Sequence, residues 1–202
     1  MRSIAFALLF LLQTPSYPPA YPRPGATKML ENDRVVVWNI AWLKQQYPIH
    51  RHIYDLAGVY YAPGDRMITS IEGTKRPVKT AAGDTAFQLK GVTHIEEGTS
   101  DSPLRAVFFE MKEDAASGKM DTAMTPPAFP GGGSKQFLDN PRITAWEYTP
   151  GSGAAQSHRH ARDAVVIWID GQTPHAAFVK QGTVHASEGV GSVPRAWIYE
   201  LK

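Results

Sequence analysis

Hydrophobic and polar residues alternate over short stretches of this chain, and turn residues separate the stretches. Runs such as Val35–Trp38, Val107–Phe109 and Val165–Ile169 are rich in β-branched and aromatic residues, which favours strands. Turn signals such as Pro63-Gly64-Asp65 and Asp170-Gly171 lie between them. No stretch carries a convincing 3.6-residue period. The pattern therefore predicts an all-β protein built from antiparallel sandwiches or barrels.

The chain contains two copies of one unit. The segment Leu30–Trp38 matches Leu138–Trp146, which begins 108 positions later. The ends of the copies also match, because 105–112 resembles 195–202. The second copy is shorter in its middle, where the first has the residues from Ile68 to Lys90. An internal repeat of this kind predicts two similar folding units in tandem.

Composition places the boundaries of these units. Residues 113–134 hold Pro126-Pro127, Pro130 and Gly131-Gly132-Gly133, which is typical of a linker. We therefore expect a first repeat over 28–112 and a second over 135–202.

The amino terminus has the plan of a secretory signal peptide. A basic Met1-Arg2-Ser3 precedes the apolar run from Ile4 to Leu12, and polar residues follow. We expect residues 1–20 to be the signal, with cleavage near Ser16 or Ala20, and the mature protein to be secreted or periplasmic in a bacterium. The alternative is a buried amino-terminal strand or helix. No other segment is long and apolar enough to span a membrane.

Charge and cysteine content exclude several classes of function. There are 21 basic and 19 acidic residues and no block of like charge, which disfavours a nucleic-acid surface. The chain has no cysteine, so disulfides, thiolate zinc sites and cysteine nucleophiles are excluded. No Gly-x-Ser-x-Gly sequence occurs that would indicate a hydrolase.

Six of the seven histidines stand at equivalent positions of the two copies. They form two triplets, and only His175 lies outside them: His50, His52 and His94; His158, His160 and His185. Residues i and i+2 of a strand point to the same face, so each His-x-His pair projects together. A third imidazole from another strand would complete an open three-ligand site.

Three imidazoles with room for another ligand are typical of a reactive metal site. Imidazole suits iron, nickel, copper and zinc and, less strongly, manganese, so we expect a divalent transition metal (Fe, Mn, Ni, Cu or Zn). The alternative is that the histidines are leftover positions of an ancestral site, now hydrogen-bonded in a polar barrel interior.

These motifs resemble those of the cupins. His158-Arg159-His160, then Gly171, then Gly182-x-x-His185 is similar to the two cupin motifs, and the first copy carries the same pattern from His50 to His94. The resemblance implies a bicupin, with two tandem jelly-roll β-barrels. It also implies a metal held by two histidines of the first motif, an acidic residue shortly after them, and the histidine of the second motif.

The acidic residue departs from that pattern. Its usual positions hold apolar residues: Leu56 and Ala57, and Ala164 and Val165. Asp55 and Asp163 come three residues after the second histidine and are candidates for a fourth ligand or for an acceptor that orients an imidazole. The plainer alternative is a surface salt bridge to Arg51 or Arg159.

The resemblance implies a small-molecule ligand and leaves the function open. We expect a metal-dependent oxidoreductase of the dioxygenase kind, and the main alternative is a non-catalytic small-molecule or carbohydrate binder. A structural or stress-related protein with a relic metal and a sugar isomerase are further alternatives. The two repeats of one chain can pack against each other as two single cupins do in a dimer. We therefore expect the protein to be a monomer.

Overall fold

A computed structural model describes residues 16–112, 129–131, 133–149, 157–186 and 195–202. All regular structure in these ranges is β-strand, as predicted. The strands are β1 (Ala26–Glu31), β2 (Val35–Trp42), β3 (His50–Arg51), β4 (Asp55–Ala62), β5 (Gly64–Ser70), β6 (Lys75–Thr80), β7 (Thr85–Gln88), β8 (Thr93–Gly98), β9 (Leu104–Met111), β10 (Ser134–Asp139), β11 (Ile143–Tyr148), β12 (Ala164–Asp170), β13 (Thr173–Val179) and β14 (Ala196–Leu201).

The two copies build the same five-stranded sheet. Its order is β1-β2-β9-β4-β7 in the first copy and β10-β11-β14-β12-β13 in the second, and every pairing is antiparallel. Even an irregularity repeats, because the register shifts between Lys28 and Leu30 in one copy and between Gln136 and Leu138 in the other. The matched bulges confirm the repeat that the sequence predicts.

Only the first copy has a second sheet in the described residues, in the order β3-β8-β5-β6. The β5–β6 hairpin has no counterpart, because β12 and β13 are joined by a tight turn at Gly171. The extra residues of the first copy are thus Gly64–Thr80. The sequence predicts the extra residues from Ile68 to Lys90, which is too far along the chain. Strand β7 lies within that range, but it has a counterpart in β13.

The inner strands are buried on both faces, which explains why their polar alternation is weak. Val35 and Val37 of β2 belong to a core that lies between the two copies, whereas Trp38 and Ile40 of the same strand belong to the interior of the first barrel. The interior of the second barrel contains Trp146. The repeated tryptophans are therefore core residues.

Contacts between the two copies are reciprocal, as in an isologous dimer. Arg34 of the first copy lies 3.6 Å from Asp163 of the second, and the matching Arg142 lies 2.6 Å from Asp55. The rings of Phe109 and Tyr199 meet edge to face with centroids 5.1 Å apart. Burial raises the pKa of the Tyr199 hydroxyl. The two large sheets thus pack face to face through one shared core.

The segments outside the predicted repeats take part in the fold where they are described. Ala20 is buried and Pro19 forms a bridge with Arg51, although both lie beside the expected cleavage site. Phe129, inside the expected linker, is buried against Trp146. Residues 1–15 and 113–128, which hold most of the expected signal peptide and linker, lie outside the described residues. None of the described segments forms a helix that could cross a membrane.

Candidate metal centres

The first histidine triplet is assembled by two short paired strands. His50 on β3 lies directly opposite His94 on β8, and His52 follows β3 on the same side. The three rings are buried, with centroids 4.8 to 5.4 Å apart. One ring nitrogen from each lies within 4.8 Å of the others, so the structure brings together the three residues that the sequence predicts.

Hydrogen bonds of the first triplet leave ring nitrogens free to bind a cation. His50 Nδ1 donates to the carbonyl oxygen of Pro48 at 3.0 Å, so its Nε2 carries the lone pair, and that buried nitrogen has no hydrogen-bond partner. The Nε2 atoms of His52 and His94 lie 3.3 Å apart. Two nitrogens bound at right angles to one ion at about 2.1 Å would be about 3 Å apart, so the donors fit a transition metal.

Burial keeps these imidazoles neutral. It lowers the pKa of His50, and it lowers the pKa of His52 to about 3 and that of His94 to about 4. A histidine must be neutral to bind a metal through its ring nitrogen. At neutral pH the first triplet is therefore in the state that binds metal.

The second triplet has the same design. His158 and His185 face each other through two backbone hydrogen bonds of 2.8 and 3.0 Å, and His160 is fully buried. The ring centroids lie 4.3 to 5.2 Å apart, and one nitrogen of each ring lies within 4.8 Å of the others. His160 Nε2 is buried with no hydrogen-bond partner. The donors of the second site therefore also fit a metal.

Acceptors behind the second triplet orient its rings. His160 Nδ1 lies 3.2 Å from Glu200 Oε1, and His185 Nδ1 donates to the carbonyl oxygen of Ala186 at 3.0 Å. Metal-binding imidazoles usually donate their other N–H to a carboxylate or a carbonyl in this way. At the second triplet Glu200, and not Asp163, is thus the carboxylate that lies within hydrogen-bond distance of an imidazole.

The two aspartates do something else. Asp55 accepts from the backbone N–H of Lys90 at 2.8 Å, and Asp163 accepts from that of Gln181 at 2.9 Å. Their other carboxylate oxygens form the ion pairs with Arg142 and Arg34 between the copies. The structure therefore does not bring Asp55 or Asp163 to the histidines, and their partners differ from the Arg51 and Arg159 considered above.

His175 stands apart from both triplets, as predicted. It lies on β13, and its ring stacks on Trp168 with centroids 5.3 Å apart.

A buried ionic network that was not predicted from the sequence lies beside the first triplet. Glu96, two residues after His94, lies 3.2 Å from Arg23 and 2.9 Å from Arg66, and it accepts a hydrogen bond from Trp42 Nε1 at 2.9 Å. Burial by itself would raise the pKa of Glu96, but the charges of the two arginines lower it to about 2. One feature of the sequence could have indicated Glu96. It stands two residues after His94, and residues i and i+2 of a strand share a face.

An aromatic ring, which was not predicted from the sequence, also packs on each triplet at a repeated position. Tyr21 contacts His52 with ring centroids 6.5 Å apart and stacks on Trp38 at 5.3 Å. Phe129, 108 positions later, lies 5.1 Å from the ring of His160. Each site is therefore walled by an aromatic residue that precedes the first strand of its repeat.

Glu200 provides a test of ring orientation that is specific to one site. We expect Glu200→Gln to weaken metal binding at the second triplet about 10- to 100-fold, because the amide supports His160 less well than the carboxylate does. Glu110 is the matching residue of the first copy, but it accepts from Trp38 Nε1 at 2.8 Å. Glu110→Gln should therefore leave both affinities near the wild-type values. Competition with a chromophoric chelator measures the affinities, and equal effects of the two substitutions would contradict the assignment.

The similarities to other proteins are structural. No family model and no curated protein matches the sequence. A cupin 2 conserved barrel domain protein from Leptotrichia buccalis superposes with a TM-score of 0.51 at 16% identity, over 88% of each chain. The S161A mutant of Bacillus subtilis oxalate decarboxylase superposes with a TM-score of 0.53 at 11% identity, over 88% of this chain and 72% of that one.

A single cupin domain from Bordetella pertussis is 27% identical over 46% of this chain and 100% of its own length, with a TM-score of 0.41. The two longer superpositions each cover both copies of the repeat. Together with the matched sheets, they show that the protein has the two-repeat cupin fold.

Proposed function

We propose that each histidine triplet holds a divalent transition metal, which is Fe, Mn, Ni, Cu or Zn. We further propose that the protein is a metal-dependent oxidoreductase of the dioxygenase kind acting on a small molecule. The observation that carries the proposal is the convergence of three imidazoles at each of two matched places. When bound, a redox metal with three protein ligands offers open positions at which a small molecule and dioxygen can meet.

The side chains of the first barrel would prepare that site. His50, His52 and His94 would bind the metal, and the hydrogen bond from His50 Nδ1 to the carbonyl oxygen of Pro48 orients the ring of His50. Tyr21 is buried and packs its ring against His52. Glu96, Arg23 and Arg66 supply fixed charges beside the histidines. Glu96 is not one of the candidate metal ligands.

A non-catalytic small-molecule or carbohydrate binder is the second candidate. The observation in its favour is the absence of a carboxylate from either described triplet. The usual carboxylate positions, at Leu56, Ala57, Ala164 and Val165, lie in buried strands.

Anion binding to a cobalt-loaded protein tests for open metal positions. Visible absorption of Co(II) reports its coordination, and we expect azide to change the spectrum because three protein ligands leave room for it. His175→Ala, which lies outside both sites, should behave as the wild type does. A Co(II) spectrum that azide leaves unchanged would contradict an open site. Oxygen consumption by the iron-loaded protein with candidate small molecules then separates the oxidoreductase from the binder.

We also propose that the protein is exported, on the sequence pattern of residues 1–20. The contacts near the expected cleavage site favour Ser16 over Ala20. Arg51 N–H donates to the carbonyl oxygen of Pro18 at 2.8 Å, and Ala20 is buried, so cleavage after Ala20 would remove both contacts. Intact mass of the exported protein should correspond to a chain that begins at Tyr17, and a chain that begins at Met1 would contradict export with cleavage.

A further inference from the structure

Arg23 is a buried cation that the fold by itself does not explain. It precedes β1, and its side chain is 6% exposed. The guanidinium carbon lies 3.9 Å from the centre of the Tyr47 ring, 5.2 Å from Trp42 and 5.7 Å from Tyr21. Aromatic faces therefore hold the cation inside the first barrel.

The donors of Arg23 are unsatisfied. A guanidinium has five N–H donors. The Nε, Nη1 and Nη2 atoms of Arg23 are buried and have no hydrogen-bond partner, and Nη2 has only the ionic contact with Glu96 at 3.2 Å. Buried donors without acceptors are costly, so such a group calls for an acceptor.

The position of Arg23 is beside the first triplet. The ring of Tyr21, which lies 5.7 Å from the guanidinium carbon of Arg23, also contacts the ring of His52 at 6.5 Å. Arg23 shares Glu96 with Arg66, and Glu96 follows His94 on the same face of β8.

The charged side chains beside the first triplet have an excess of positive charge. Two guanidiniums face the single carboxylate of Glu96. Glu110 gives little compensation, because burial raises its pKa and its carboxyl is bound to Trp38. A divalent metal on three neutral imidazoles would add further positive charge. An anionic ligand is what this interior lacks.

The second copy shows that the fold does not need this arrangement. In the sequence, Gly131 stands where the first copy has Arg23, and Ser187 stands where it has Glu96. Arg66 lies on the β5–β6 hairpin, which has no counterpart between β12 and β13. The group formed by Arg23, Arg66 and Glu96 therefore has no counterpart at the equivalent sequence positions of the second copy.

We propose that Arg23 is the anion-recognition residue of the first barrel and binds a small carboxylate beside His50, His52 and His94. A carboxylate accepts two parallel N–H bonds from a guanidinium, so it can satisfy the donors that Arg23 leaves open. The role of this carboxylate as a ligand at a metal centre rests on the proposed function. The contact with Arg23 does not need a metal.

Calorimetric titration with malonate, acetate and neutral acetamide tests the proposal, on both metal-free and metal-loaded protein. We expect malonate and acetate to bind and acetamide not to bind. Arg23→Met should lose about 10- to 100-fold in malonate affinity, as expected for hydrogen bonds to a charged group. Arg76→Met, on the exposed face of β6, is the matched control and should bind malonate as the wild type does.

The outcomes separate this proposal from the proposed metal function. Arg23→Lys, which keeps a positive charge but not the paired donors, is a second variant and should also bind malonate at least about tenfold more weakly. Elemental analysis should find wild-type metal in Arg23→Met, because Arg23 is not a ligand. Wild-type protein that binds neither anion, or an Arg23→Lys variant with wild-type affinity, would overturn the proposal. If the wild type takes up no metal in metal-replete conditions but still binds malonate through Arg23, this proposal is supported and the proposed metal centre is wrong.

Discussion

Replacing Glu96 with alanine should destabilise the protein by about 3–5 kcal/mol, because the substitution leaves two buried guanidiniums without their shared carboxylate. Arg23 and Arg66 lie 3.2 and 2.9 Å from this carboxylate, and all three side chains are largely buried. Trp42 would also lose the acceptor of its indole N–H. For a chain of this length, the melting temperature should fall by about 6–20 °C. Thermal and urea unfolding followed by circular dichroism measure the change.

The neighbouring Glu97 provides the control. It lies on the other face of β8 and is only half-buried, and the described contacts give it no ion pair. Glu97→Ala should therefore change the free energy of unfolding by no more than about 0.5 kcal/mol. If both variants had the same urea midpoint as the wild type, the buried network would not stabilise the protein as we expect.

Much of the fold was predictable because its signals are local and occur twice. The strands around Val35, Val107 and Val165 carry β-branched runs between turn residues, and the structure confirms them. The pairing of His50 with His94 followed from matching the two copies, since no single motif specifies it. The repeat therefore carried more information than any residue type alone.

The ionic network was not predictable because its residues are unrelated in sequence. Arg23 lies in a Pro/Tyr-rich stretch beside the expected signal peptide, and Arg66 lies in the hairpin that the second copy lacks. Only closure of the barrel brings them to Glu96. Neither arginine has a repeated partner that could have marked it as functional.

The aspartates show a different limit of sequence reasoning. A straight strand would turn Asp55 and Asp163 away from the histidines and a turn would bring them in, so alternation alone could not say what they face. Packing of the two large sheets supplies Arg142 and Arg34 from the opposite copy. Contacts between repeats follow from three-dimensional packing, which the sequence of one repeat does not contain.

Removal of one histidine from a triplet should abolish metal binding at that site and leave the other site intact. Each triplet would supply three ligands, and no other His, Asp or Glu of the described residues belongs to either group. His52 and His160 are the best positions, because both are buried at matching places in the two barrels. His175 is the control, since its ring packs on Trp168 away from both sites.

Elemental analysis of protein purified alike from metal-replete medium tests the central claim most directly. The wild type and His175→Ala should each hold two metal ions per chain, His52→Ala and His160→Ala one each, and the double variant none. Circular dichroism should show that each variant keeps its β-structure. If His52→Ala and His160→Ala both retained the metal content of the wild type, the triplets would be structural and the proposed metal centres would be wrong.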